Sequence, residues 1–324
     1  MVRALVDDRP RSRACGRARS GFRHAALFYA GEEQYLQGTL PFLEEGLRDG
    51  DAMLVAVGGE RIELLRAALG ADAGAVSFVD MHGLGRNPAR IIPAWREFLA
   101  SCNGAYARGI GEPVWPRRSE DELGECDRHE SLLNLAFDGG RAWQLLCPFD
   151  FDGLDPQVIE AARRNHPFVH QEGSSRESSS YLDGARAQDW TLSGPLPAPT
   201  AAVSEHRFSI ADLAGLRAAV ASWAQEALDA ERAEQLVLAA NELASNSVLY
   251  GGGGGVLRLW RDDELLSCEV SDAGHIRDPL VGRMPPTADQ RSGWGMWLAG
   301  QLCDLLQVRS SHAGTVVRVH MSVG

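Results

Sequence analysis

The chain has 324 residues, of which 44% are hydrophobic and 23% charged, and a formal net charge of -12, so it is long enough for two domains with ordinary cores. This acidic balance argues against broad binding to a nucleic-acid backbone. All 32 basic residues are arginine, and the lack of lysine excludes a Walker A loop, a protein kinase of the usual type and Schiff-base chemistry.

The six cysteines lie at least 21 residues apart, so no CxxC pair exists for zinc or redox chemistry. They predict reduced, mostly buried thiols in a cytoplasmic protein. No apolar run approaches the ~18 residues of a membrane span. Residues 1–20 contain six arginines and no apolar core, which predicts a disordered tail rather than a secretory signal.

Strand and helix signals alternate through residues 21–172, which predicts an α/β domain whose sheet is covered on both faces. Predicted strands lie at residues 25–29, 53–57, 76–79 and 143–149. Helices are predicted over a segment ending near Gly50 and at residues 60–69, 91–99, 120–137 and 157–164.

A stretch rich in Ser, Gly, Pro and Ala predicts a linker over residues 173–202, followed by a second domain at 203–324,. That domain is predicted to be a helical layer on a mixed sheet, with a Pro-containing mobile loop near residues 278–292. Its helices are predicted at 213–227, 232–249 and 294–303, and its strands at 256–260, 265–270, 306–309 and 315–320.

Several polar and glycine signals in the second domain are each weak alone. Glu242 and Asn246 are four residues apart and share a helix face, a pattern that on its own favours a solvated surface,. Asp272 and Gly274 follow an apolar strand, as in an ordinary turn. Gly293 and Gly295 begin a helix that continues through Leu298, and the backbone N–H groups at such a helix start suit a phosphate,. Thr315 begins the last strand.

Taken in order, these signals resemble the GHKL ATPase superfamily, and most closely the anti-sigma-factor serine kinases. The matching features are E-x-x-x-N on a helix, D-x-G after a strand, a G-x-G-x-x-L helix and a G-T strand. The resemblance covers residues 203–324 and implies a two-layer α/β sandwich with a mixed sheet. It also implies ATP and Mg²⁺ as cofactors and no phosphate-binding lysine in these motifs.

The resemblance assigns a role to each matching residue. Asn246 would hold Mg²⁺ through its amide oxygen, and Glu242 would activate the attacking hydroxyl. Asp272 would accept a hydrogen bond from the adenine amino group beside Gly274, and Thr315 would support that site. Gly293, Gly295 and Leu298 would form the phosphate end, under a lid at residues 277–292. Ile276 departs from the usual D-x-G-x-G pattern, and His275 stands where a small or polar residue is common.

Residues 21–172 resemble the MEDS sensory domain, a RecA-like relative thought to sense small molecules. The matching segments are HAALFY, PFLEEGL, GEPVW and LCPFD, which begin at His24, Pro41, Gly111 and Leu146. The resemblance implies a three-layer RecA-like fold. Together the two halves resemble the RsbA-type anti-sigma regulatory proteins.

Cys126, His129 and Glu130 stand at i, i+3 and i+4 on a predicted helix. This spacing fits a structural role, a metal site with too few ligands, or a phosphoacceptor histidine. Trp115, Cys147 and Asp150 could line a sensing pocket, but the sequence favours a packed core with a strand-end turn.

The resemblance therefore implies an anti-sigma regulator that binds ATP–Mg²⁺ and a sigma factor. It would phosphorylate a serine of an anti-anti-sigma protein under control of a small-molecule signal, without contacting nucleic acid or a membrane. The resemblance also implies a homodimer. A partner switch without kinase activity, and a histidine kinase using His129, stay open as alternatives.

Overall fold

The computed structural model describes residues 21–171, 174–182, 191–262, 264–286 and 293–323. The chain divides into two units, Met1–Arg86 with Ala94–Ala187 and Asn87–Pro93 with Gln188–Gly324. The predicted tail at residues 1–20 lies outside the described residues, as do parts of the predicted linker. None of the helices in the described ranges is long and apolar enough to cross a membrane.

The first unit is built on a sheet of seven strands in the order β3-β2-β4-β5-β1-β6-β7, parallel except for the β6–β7 pair. The strands are β1 Phe22–Tyr29, β2 Ala52–Val57, β3 Ser77–Asp80, β4 Ala107–Gly111, β5 Trp143–Asp150, β6 Phe168–Gln171 and β7 Ser174–Glu177. The helices are α1 Gly31–Asp49, α2 Gly59–Leu69, α3 Met81–Leu84, α4 Ile91–Ser101, α5 Glu120–Phe137 and α6 Pro156–Asn165.

Side chains on β4 show why this sheet is buried on both faces. A Cβ on Gly109 would lie 2.7 Å from the ring of Trp95 on α4, whereas Ile110 packs in the core cluster that contains Tyr35 of α1 and Leu65 of α2. Adjacent residues of a strand point to opposite faces, so helices cover both sides. The expected α/β architecture is confirmed.

The second unit has a five-stranded sheet in the order β11-β12-β10-β9-β8, with helices packed on it around one apolar core. The strands are β8 Ser204–Ser209, β9 Gly254–Arg261, β10 Leu265–Asp272, β11 Leu305–Ser311 and β12 Gly314–Ser322. The helices are α7 Leu213–Ala224, α8 Ala230–Tyr250 and α9 Trp294–Leu302.

The neighbouring strands of this sheet are all antiparallel, where a mixed sheet was expected. The connections explain the difference. Strands β8 and β9 are joined through two successive helices, and the other consecutive neighbours, β9 with β10 and β11 with β12, are joined by hairpins. Strands β10 and β11 run in the same direction, but β12 lies between them.

A short segment far upstream in the chain belongs to the second unit. The side-chain amide of Asn87 donates to the carbonyls of Gly300 and Cys303, both at 3.0 Å, and Arg90 donates to Cys303 O at 2.8 Å. Gly300 lies in the last turn of α9 and Cys303 directly follows the helix, where carbonyls have no intrahelical donors,. Residues 87–93 therefore cap the C-terminal end of α9.

Candidate functional site

Helix α8 presents the predicted acidic and amide side chains at the edge of its buried face. Asp229 caps the helix by accepting the N–H of Arg232 at 2.9 Å, and Gly251 ends it. Leu243 and Ala244 are buried in the core, whereas Glu242 and Asn246 are half-buried. Glu242 and Asn246 therefore lie where one helix face passes from core to solvent.

Both side chains lie against Gly295 in the first turn of α9. A Cβ on Gly295 would lie 2.8 Å from Oε2 of Glu242 and 3.1 Å from Nδ2 of Asn246. It would also lie 3.0 Å from Cβ of Glu242, an atom that cannot swing away. Only glycine lets the two helices approach this closely with both polar groups between them.

The N-terminus of α9 places backbone N–H groups beside these side chains. Gly293 precedes the helix with φ 97° and ψ -12°, and no side chain caps it. The first-turn N–H groups therefore have no intrahelical acceptor, and the helix dipole favours an anion there. Leu298 lies in the next turn of α9 and is half-buried.

Asp272 lies at the end of β10 with its carboxylate held from two sides. Ser247 Oγ of α8 donates to Oδ2 at 2.5 Å, and the N–H of Gly274 donates to Oδ1 at 2.7 Å. A Cβ on Gly251 would lie 2.3 Å from Cγ of Asp272, so the glycine after α8 makes room for this carboxyl group. Each oxygen keeps a lone pair for a further donor.

Ser247 is a site residue for which the sequence analysis proposed no role. Its signal was present, because Ser247 lies four residues after Leu243 and so shares that residue's buried face. A buried hydroxyl needs a hydrogen-bond partner, and Asp272 is one.

Thr315 connects the start of β12 to the turn after Asp272. The two residues are direct partners in the β10–β12 register, and Thr315 Oγ1 donates to Gly274 O at 2.9 Å. Ser310 Oγ lies 2.8 Å from Thr315 Oγ1 and accepts the N–H of Ile276 at 2.8 Å. These bonds fix the turn that carries Gly274.

A cavity of about 1050 Å³ lies at this end of the sheet. The residues that line it include the glycine run at residues 251–255, Asp272 and Thr315. Glu242, Asn246 and the glycines of α9 do not line it. The predicted residues thus form two groups, one beside the cavity and one around Gly295. Ser247 and Asn246 are consecutive on α8, so this helix links the two groups.

The predicted lid at residues 277–292 lies partly outside the described residues, because these end at residue 286 and resume at 293. In the described part, Val281 packs on the core of the unit. A Cβ on Gly282, which has φ 72°, would lie 2.8 Å from Cγ of Met296 on α9. The start of this segment is therefore anchored against the helix that carries Gly295.

With this geometry established, comparison with known proteins defines the class of each unit. Residues 23–167 match the MEDS family, described as the methanogen/methylotroph, DcmR sensory domain, and residues 207–321 match the histidine kinase-like ATPase domain. The chain combines these two domains, with the sensory domain first. The resemblances to a MEDS domain and to the GHKL class of ATPase are thereby confirmed.

Among solved structures, the chain is similar to the RsbU and RsbW domains of Rv1364c from Mycobacterium tuberculosis, with 20% identity and a TM-score of 0.29. The match covers 38% of this chain and 33% of that one, so the chain spans about a third of that protein's length. No match to a curated protein was found.

Proposed function

We propose that the chain is an anti-sigma regulatory protein. Its C-terminal unit binds ATP–Mg²⁺, holds a sigma factor, and phosphorylates a serine of an anti-anti-sigma antagonist, under control of a small-molecule signal at the N-terminal unit. The observation that carries this proposal is the approach of Glu242 and Asn246 to Gly295 at the N-terminus of α9.

The residues around Gly295 fit a magnesium–triphosphate group in shape and in donor chemistry. Glycine lets Glu242 and Asn246 lie directly against the first turn of α9, which offers N–H donors to phosphate oxygens,. Asn246 would hold the ion through its amide oxygen, which is the kind of hard ligand that Mg²⁺ prefers. When bound, the ion would neutralise charge on the phosphates.

Glu242 is the proposed general base. It lies one helical turn before Asn246, on the same face, so its carboxylate would face the terminal phosphate. There it would accept the proton of the antagonist's serine hydroxyl as that oxygen attacks phosphorus. Its half-buried position leaves it accessible to a protein substrate.

Asp272 is the proposed adenine anchor. Ser247 and Gly274 donate to its two oxygens and so fix its orientation. The remaining lone pairs would accept the adenine amino group, and the hydroxyl of Thr315 holds the adjacent turn,. The cavity beside these residues is large enough for a purine,.

Phosphate transfer from labelled ATP to a candidate antagonist tests the base role. Glu242→Gln should retain ATP binding and lose transfer by about 10²- to 10⁴-fold, the usual contribution of a general base. Glu234→Gln is the matched control, because Glu234 is an exposed carboxylate on the same helix. Equal transfer by the wild type and Glu242→Gln would refute the base role.

A second candidate function is a nucleotide-binding partner switch without kinase activity. The observation that favours it is Ile276, which packs on the core of the unit where the related pattern carries a glycine. In that case ATP would change the affinity for the sigma factor with no transfer to any antagonist. Calorimetry with ATP, combined with the transfer assay, separates the two functions.

Histidine kinase activity through His129 is disfavoured by burial. The His129 side chain is 1% exposed, and phosphorylation would require α5 to open. Acid-labile phosphate on this residue would reverse this conclusion.

A further inference from the structure

Four side chains with metal-ligand chemistry meet inside the N-terminal unit. His24 comes from β1, Glu130 from α5, Cys147 from β5 and His166 from the residue after α6. All four are buried, with exposures of 0–2%. One donor atom from each lies within 4.8 Å of all the others.

The shorter distances in this cluster match the edges of a small coordination polyhedron. Oε2 of Glu130 lies 3.1 Å from Nε2 of His24 and 3.3 Å from Nε2 of His166. Sγ of Cys147 lies 3.3 Å from Nε2 of His24. Ligands about 2.0–2.3 Å from a tetrahedral zinc ion are separated by roughly 3.3–3.7 Å.

The second ring nitrogen of each histidine is held by a partner outside the cluster. Nδ1 of His166 lies 2.7 Å from the carbonyl oxygen of Ala162, which can only accept, so this nitrogen carries the proton,. Nδ1 of His24 lies 3.1 Å from Oδ1 of Asn134, whose amide nitrogen donates to Asn165 O at 2.7 Å. In their neutral forms both imidazoles therefore point an Nε2 lone pair into the cluster.

With both imidazoles neutral, the centre of the cluster holds no positive charge, and the donor hydrogen there is that of the Cys147 thiol,. The carboxylate oxygens of Glu130 and Nε2 of His166 are buried and make no hydrogen bond within the described part of the chain. Two imidazole lone pairs thus face a carboxylate at close range, an unfavourable arrangement in a dry interior. A cation at the centre would turn each of these repulsions into an attraction.

We propose that His24, Glu130, Cys147 and His166 bind one divalent transition-metal ion, with zinc as the best fit. Two imidazoles, one thiolate and one carboxylate are the ligand types zinc takes in four-coordinate protein sites. Binding would release the thiol proton of Cys147 to solvent, because a thiolate is the ligand form. Two anionic ligands then balance the charge of the ion, so the filled site carries no net charge.

Asn134 and Ala162 complete this arrangement as positioning groups. Metal-bound histidines commonly donate their second ring N–H to a carbonyl or an equivalent acceptor, which fixes the ring and the tautomer. A cavity of about 240 Å³ beside the cluster is lined in part by Glu130 and Asn165. The ion would join β1, β5, α5 and the end of α6.

Metal uptake by the full-length chain tests this proposal. The protein would be purified under reducing conditions, stripped with a chelator and titrated with zinc or with Co²⁺ as a spectroscopic substitute. We expect one ion per chain, and a cobalt spectrum that contains a thiolate-to-metal band. Cys147→Ser should lose this band and bind at least about ten-fold more weakly.

Cys126→Ser is the matched control. Cys126 is also fully buried, but its thiol donates to Pro113 O at 3.3 Å and lies outside the cluster. This variant should keep the affinity and the spectrum of the wild type. An unchanged band in Cys147→Ser, or its equal loss in both variants, would overturn the proposal.

X-ray absorption at the zinc edge of the wild type avoids any dependence on how a variant folds. One sulfur at about 2.3 Å and three lighter ligands at about 2.0–2.2 Å are expected. A shell without sulfur, a shell with more than one sulfur, or a stripped protein that takes up no ion would refute the site.

Discussion

Glu130 and Glu242 are both helix carboxylates that face a small space, but their surroundings differ in ways that define two kinds of site. Glu130 is 2% exposed and faces two imidazoles and a thiol, whereas Glu242 is half-buried and faces a glycine. The buried carboxylate of Glu130 suits a permanently bound metal ion, whereas the half-buried carboxylate of Glu242 suits a ligand that binds and dissociates.

Glu112 is a third carboxylate that tests the cost of burial without imidazole partners. Burial raises the pKa of Glu112 to about 7, although Tyr29 donates to it at 2.7 Å and Arg61 lies nearby. The folded state thus keeps a proton that the unfolded chain releases above about pH 4.5. Stability should therefore fall by roughly 2–4 kcal/mol between about pH 4.5 and pH 7, and level off above that.

Urea unfolding of the wild type and of Glu112→Gln across this pH range measures the effect. The glutamine cannot lose a proton but can still accept from Tyr29, so its contribution should be flat with pH. A parallel decline in both proteins would show that another group causes it.

The zinc-dependent rise in thermal stability should differ between Glu130→Gln and Glu242→Gln, and so distinguish the two kinds of site. We expect Glu130→Gln to bind zinc about 10- to 100-fold more weakly, which removes roughly 1.4–2.7 kcal/mol of stabilisation at a fixed excess of zinc. Glu242→Gln should keep the full zinc-dependent rise in Tm. Thermal melts with and without chelator compare the two, and identical responses would contradict the distinction.

Gly295→Ala tests the open site through its shape alone. The new Cβ would overlap Glu242 and Asn246, and we expect nucleotide affinity to fall at least about ten-fold, or about 1.4 kcal/mol. Gly215→Ala on α7 is the control, because nothing lies within 4 Å of its added Cβ. Calorimetry with ATP–Mg²⁺ measures both, and full affinity in Gly295→Ala would show that phosphate binds elsewhere.

Ser247→Ala should have the smallest effect. It removes one of the two donors that hold Asp272, with an expected loss of about 0.5–1.5 kcal/mol in stability or nucleotide binding. Urea unfolding and nucleotide titration separate these two outcomes. No change in either would mean that the hydroxyl does not orient the carboxylate.

The sequence predicted those features that depend on local spacing. Four-residue spacing put Glu242 and Asn246 on one face, and the glycine run correctly predicted the end of α8. Their contact with Gly295 could not be derived from spacing, because it depends on how two helices pack. The resemblance supplied the order of the motifs but not the hydroxyl of Ser247.

Local spacing was misleading in the N-terminal unit. The i, i+3, i+4 spacing of Cys126, His129 and Glu130 indicated a joint role, but neither Cys126 nor His129 belongs to the buried cluster that contains Glu130. The partners of Glu130 come from β1, β5 and the end of α6, and parallel sheets bring together residues that are far apart in the chain. Asp150 does accept from Asp152 and Gly153 in a strand-end turn, as one interpretation expected.

The hydrogen bonds of Asn87 and Arg90 to the C-terminal end of α9 determine where the C-terminal unit can be separated from the rest of the protein. A fragment beginning after the linker would contain the whole antiparallel sheet and every predicted nucleotide ligand. It would still lack the donors that satisfy the carbonyls of Gly300 and Cys303. The carbonyls at the C-terminal end of the helix that carries Gly295 would then have only water as a donor. The isolated fragment is therefore an imperfect substitute for the full chain.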